Sequence, residues 1–244
     1  MAKSIIKSLG HTLRVGIAEC FESVSEQLGL GPIVVDYHPY AELKHTWRQR
    51  RGMLEFKISD YLRDAPEGVN ESLAWHLLSH AARTKCPDGR RDPYLSYAKS
   101  RELWLRNRDR YLSRARNLMV EPRGSARDLR TVFDYVNANY FSGRLRTPIL
   151  AWSNESPRQR LGFYFEPLNL MAVNRVLDSE RVPRYVLEFV VYHELLHHVD
   201  AVNGRRLRRI HHTKRFKAQE RAFSSYDEAE RWLMKLASKK RRGV

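Results

Sequence analysis

The chain has 244 residues, 42% of them hydrophobic and 11% aromatic, with a formal net charge of +16 and a pI near 10.1. That length allows one large domain or two smaller ones, and the apolar content is enough to bury a real core, which excludes a disordered chain. No apolar run reaches the roughly 18 residues needed to span a bilayer.

The opening stretch, MAKSIIKSLGHTLRVGIAECF, is interrupted by Lys3, Lys7 and Arg14 and lacks a small-residue cleavage site, so it does not read as a signal peptide. Cys20 and Cys86 stand alone with no CxxC pair, which suits a reducing, cytoplasmic setting. Residues 13–35 read as a helix followed by an apolar strand, and 66–80 as a second helix opening near Pro66. Residues 100–119 carry Trp104, Tyr111, Leu112, Ala115 and Leu118 at helical spacing, which predicts one helix with an arginine face at 106, 110, 114 and 116. Pro122 and Gly124 then form a breaker cluster, predicting domains at 1–122 and 123–244. Ser125 and Asp128 resemble a capping box for the next helix.

Beyond the boundary the pattern predicts a helix over 127–141, a strand over 148–153, and strands near 160–166 and 170–174. A long helix over 183–202 has Pro183 in its first turn and Gly204 as its stop. Helices near 213–223 and 226–238 complete the chain, the last with Ala229, Trp232, Leu233 and Leu236 apolar. The mixture of a small sheet and helices is α+β.

The halves repeat one another. Residues 13–35 lie on 129–151 at an offset of 116, and 66–80 lie on 183–197 at 117. RQRRG (48–52) also pairs with RQRLG (158–162). The shared order predicts two tandem copies of one unit.

The stretch YHELLHHVD (192–200) carries the chemistry. Side chains four apart on a helix share a face, so His193 and His197 can hold one Zn²⁺ through their imidazoles. Glu194 is about 100° around the helix, beside the open coordination position, where it can take a proton from bound water and pass it to a leaving amine. The flanking residues are almost wholly apolar, and a carboxylate buried there is expensive unless a cation compensates it. A third ligand is needed. Asn203 stands where the compact HExxHxxGxxH pattern would put it, leaving His211, His212 and Glu220 as downstream candidates. His198 reads as a surface group or a supporter of the ligands, and Asp200 as an exposed acid or an orienter of an imidazole. Tyr192, Arg205 and Arg206 are candidates to steady an oxyanion, and the sequence does not choose among them.

Here the chain resembles the SprT-like metallopeptidases over roughly 128–240. HTKRF places His212 four residues before the aromatic Phe216, as in that family's third-ligand pattern. NANYFSGRLRTPILAW (137–152), RLGFY (160–164), LMAVNRVL (170–177) and VPRYVLEFVVYHELLHH (182–198) match its first helix, strands and active-site helix. The resemblance implies a zincin-like fold and a zinc peptidase with His193, His197 and His212 as ligands and Glu194 as catalytic base. Some relatives, the Spartan-type enzymes, act on proteins crosslinked to DNA. This chain departs from those by lacking a Cys-rich zinc ribbon and by its extra N-terminal half.

In that half, His76 and His80 fall on His193 and His197, but Leu77 replaces Glu194, so the general base is missing. The basic excess, concentrated in 101–116, 205–217 and 239–242, predicts affinity for DNA or another polyanion. The expected activity is therefore zinc-dependent cleavage of protein substrates, some of them associated with DNA. The rival expectation is a basic nucleic-acid-binding protein with a structural or vestigial zinc site.

Overall fold

The computed structural model describes residues 16–154, 160–202 and 213–239. The chain divides into two compact units, Met1–Asn107 and Arg108–Val244, each a mixture of helices and a small mixed sheet. No described helix is long and apolar enough to cross a membrane.

In the first unit, α1 (Ile17–Gln27) buries Ile17, Cys20, Phe21 and Val24, the three-and-four spacing of one helical face. Strands β1 (Ile33–His38), β2 (Thr46–Arg50) and β3 (Met53–Ser59) form a sheet of order β1-β3-β2. β1 runs parallel to β3 and β2 antiparallel to it. Leu54, Phe56 and Ile58 alternate inward along β3, and Phe56 meets Phe21 with ring centroids 5.3 Å apart. Arg51 and Gly52 make the two-residue hairpin turn at φ 48° and 79°, the positive-φ pair that matches strand twist and that glycine adopts without steric cost. Helix α2 (Val69–Ala81) packs on α1, and α3 (Asp92–Ala98) packs on α2.

The helix expected over 100–119 is instead broken into α4 (Arg101–Arg106), α5 (Arg108–Arg114) and a short strand β4 (Leu118–Met119). The break is at Asn107, whose buried amide donates to the carbonyls of Leu103 and Tyr61. Side-chain bonding of this kind competes with helix continuation. β4 belongs to the second sheet because it pairs with β5 (Ile149–Ser153).

In the second unit, α6 (Leu129–Phe141) starts at Asp128, which accepts from the N–H of Arg130. Ser125 is not part of that cap. Its N–H and those of Ala126 and Arg127 instead converge on the carboxylate of Asp178. β5, β6 (Gly162–Phe165) and β7 (Leu170–Asn174) complete a sheet of order β4-β5-β7-β6, so β6 is an edge. Helix α7 (Arg184–Val202) follows directly after Pro183 and packs on α6, β6, β7, α8 (Lys214–Glu220) and α9 (Tyr226–Lys239). That central place explains its nearly all-apolar sequence. Val186, Leu187, Val191 and Leu195 are fully buried, among Phe133, Val136, Trp152 and Met171.

Three strands of each unit share order and pairing, the second sheet carrying β4 as a fourth. The pairs Ile33↔Leu54 and Trp47↔Phe56 of the first sheet become Ile149↔Leu170 and Phe163↔Ala172 in the second, each residue 116 further on. This register places Thr46 with Gly162, so the pairing of RQRRG with RQRLG does not hold. In the first unit Arg48–Arg50 lie inside β2, whereas Arg160 precedes β6.

Candidate active site

His193 and His197 sit one turn apart on the same face of α7, ring centroids 5.0 Å apart. Phe216 of α8 lies against both, at 5.2 and 4.7 Å. It is held there by burial to 2% exposure and by the cap of α8, where Thr213 Oγ1 accepts the N–H of Phe216. His193 Nδ1 is 2.7 Å from Glu220 Oε1. A carboxylate only accepts, so Nδ1 carries the proton, and Nε2 is the nitrogen that could ligate a metal. Burial alone would lower the His193 pKa, but the Glu220 hydrogen bond and the charges of Glu194, Glu220 and Glu230 raise it above its ordinary value.

Glu194 is 5% exposed. Burial pushes its pKa up to about 7, against the opposing pull of His193, Arg160 and the N–H of Tyr164. It fits against β6 because residue 162 is glycine: a Cβ there would lie 2.8 Å from Glu194 Oε1 and 3.0 Å from its Cγ. Tyr164, two residues on, receives a hydrogen bond from His198 Nδ1 at 2.6 Å and donates its own to Asn169 Oδ1 at 2.9 Å. His198 is thus a buried tie between α7 and β6 rather than a surface group. Burial lowers its pKa, with Glu166 acting in the opposite direction.

Among the described residues, no three His, Cys, Asp or Glu side chains are brought together as a metal site. His211, His212, Gly204, Arg205 and Arg206 lie outside the described residues, as do the rest of 205–212 and 240–242. The side chain of Asp200 is likewise outside them. Glu220 faces His193 Nδ1, the position of an orienting carboxylate. Tyr192 is not placed to steady an oxyanion: it is 4% exposed and its hydroxyl donates to the Gln219 carbonyl at 2.6 Å.

Two of the imidazoles that a zinc site needs share a face, one with its second nitrogen fixed by a carboxylate; His212, expected as the third, lies outside the described residues. The features that sequence reasoning missed are Gly162, Tyr164 and the orienting role of Glu220. Of these, only the glycine in RLGFY carried a local signal, since an isolated glycine in a strand marks a close approach.

The first unit has a different arrangement at the equivalent place. Tyr94, third residue of α3 as Phe216 is of α8, packs on His76 with centroids 5.5 Å apart. His45 Nδ1 accepts the N–H of Ser59 at 3.2 Å, which leaves its Nε2–H to donate to the Tyr94 hydroxyl at 3.0 Å. Burial, helped by the charge of His76, lowers the His45 pKa to about 4, so the ring is neutral. Leu77 is half-buried and His80 exposed. Four residues before Tyr94 stands Arg90, engaged by Glu71 at 3.0 Å and stacked over Trp75 at 5.4 Å.

In comparisons with known proteins, the chain matches no family model, no curated protein and no solved structure.

Proposed function

We propose that the second unit is a zinc-dependent endopeptidase of the SprT-like, zincin-fold kind. The first unit is then a degenerate tandem copy. The observation that carries this reading is Glu194: a carboxylate buried beside two same-face imidazoles, with a glycine in the neighbouring strand leaving it room. Burial of a carboxylate beside a charge partner is a feature that clusters at functional sites.

His193 and His197 would hold the metal, with His212 as third ligand, four residues before the phenylalanine that lies on both rings. When bound, zinc would supply Lewis acidity, lowering the pKa of its water and polarising the scissile carbonyl. Glu220 keeps His193 in the ligating tautomer. Glu194, buried beside His193, would accept a proton from water and return it to the leaving amine. β6 lies at the sheet edge beside α7, where an extended substrate strand would add to the sheet.

Glu194→Gln is expected to keep the zinc and the fold while slowing casein cleavage by roughly 10²–10⁴-fold. Cleavage at the wild-type rate in that variant would remove the assignment.

The charge of +16 supports the second reading, a nucleic-acid binder with a vestigial metal site. Arg101, Arg106, Arg108 and Arg116 are exposed along α4, α5 and the turn after them. Salt-sensitive DNA binding that survives His193→Ala, with no proteolysis of free or DNA-bound protein, would favour it. Both properties together would describe a peptidase for DNA-associated proteins.

A further inference from the structure

We infer that the first unit is a peptide-binding unit. It takes an extended acidic segment as an added strand along β2. The inference uses the reading of this unit as a degenerate copy only to choose the strand; the edge and its side chains are the unit's own.

β2 ends the sheet β1-β3-β2, so it is hydrogen-bonded to β3 on one side only. Among the described residues no backbone bond reaches Thr46–Arg50 from the other side. An edge strand left open is a template for a further strand. β2 stands in the register that β6 occupies in the second unit, with Thr46↔Lys57 and Trp47↔Phe56 corresponding to Gly162↔Val173 and Phe163↔Ala172. The edge has therefore been kept where the chemistry has gone, with Leu77 in place of the acid and Tyr94 bonded to His45.

The side chains on this edge specify the partner. Trp47 through Arg50 are all exposed, the indole to 40%, with one ring face stacked on Phe56. Charged residues on an edge commonly serve to repel other strands, but an exposed tryptophan serves the opposite purpose and is a frequent binding anchor. Arg48 is engaged by Glu55 across the ladder. Among the described residues no acid is paired with Arg50 or Arg51, and Lys57 is exposed on the next strand. A strand laid along β2 would bring alternate side chains over these cations, which selects glutamate or aspartate. A nucleic acid would satisfy the arginines but not the free N–H and C=O groups of the edge.

The test uses the full chain carrying Glu194→Gln, so that cleavage does not intervene, with and without a chelator. A fluorescein-labelled decapeptide of alternating Glu and Val is titrated by anisotropy, beside its Lys–Val counterpart and a decathymidylate. The expected result is saturable, chelator-insensitive binding of the Glu–Val peptide, weakened roughly tenfold by Trp47→Ala and by Arg50→Glu. Thermal melting checks that each variant folds, and Arg50→Gln substitutes for any that does not. Equal binding of the Lys–Val peptide would overturn the inference. So would affinity unchanged in folded variants of both positions, binding abolished by the chelator, or binding of decathymidylate alone. Failure of zinc binding or casein cleavage in the wild type would remove the peptidase reading and leave this result standing.

Discussion

At position 162 one methyl group decides how Glu194 can lie. Gly162→Ala would put a Cβ 2.8 Å from Oε1 of a buried carboxylate, forcing it off its position beside His193. On the proposed peptidase reading, casein cleavage is expected to fall at least roughly tenfold while Tm changes by only a few degrees, since the backbone at 162 is unstrained and the strand remains paired. Asp178 has a structural part of similar sharpness. Burial alone would raise its pKa, but the N–H groups of Ser125, Ala126 and Arg127, with Arg175, outweigh that and hold it below the ordinary 3.8. Because its folded pKa is depressed, its contribution is fully present above about pH 4 and is lost as pH falls through the folded value. Asp178→Asn is therefore expected to lower stability in urea unfolding at pH 7, with the gap to wild type narrowing below pH 4. Gly162 had a local signal as an isolated glycine in a strand, but Asp178 had none: a carboxylate 50 or more positions from the amides it caps leaves no local pattern.

At the scale of elements, α7 and α8 make the site. α7 supplies His193, Glu194 and His197 by helical periodicity, and its outline at 183–202 was readable from apolar content, Pro183 and length. α8 supplies Phe216 against both imidazoles. Phe216→Ala is expected to destabilise the protein by roughly 3–5 kcal/mol and, on the proposed zinc reading, to weaken metal binding, measured by urea unfolding and competition with a chromophoric chelator. Zinc affinity unchanged in that variant would mean that the site does not depend on how α8 is seated. The strands at 149–153, 162–165 and 170–174 and the helices at 129–141 and 226–239 agree with their sequence patterns. The 100–119 segment does not. Its helical periodicity is real, but Asn107 ends one helix and Leu118–Met119 is taken by β5 as a strand, an outcome set by partners rather than by propensity.

At the scale of the whole chain, three strands of each unit share order and ladder register, while the second sheet adds β4 and the two units differ at the place where the chemistry would be. The zinc reading predicts about one metal per chain, not two. Metal analysis of purified protein should give that value for the wild type and for His76→Ala, and near zero for His193→Ala. Two zincs per chain would show that the first unit has kept a site despite Leu77, Arg90 and the Tyr94–His45 hydrogen bond.

The sequence alone determined the α+β character, the order of elements in the second half and the helical placement of His193, Glu194 and His197, because each rests on spacing within a few residues. Tertiary structure alone decided the tautomer that Glu220 imposes on His193, the room that Gly162 leaves for Glu194, and the tie from His198 to Tyr164. It also decided that Tyr94 and His45 meet in the first unit. These are contacts between groups far apart in the chain, and only the packing of strand, helix and loop brings them within hydrogen-bonding reach.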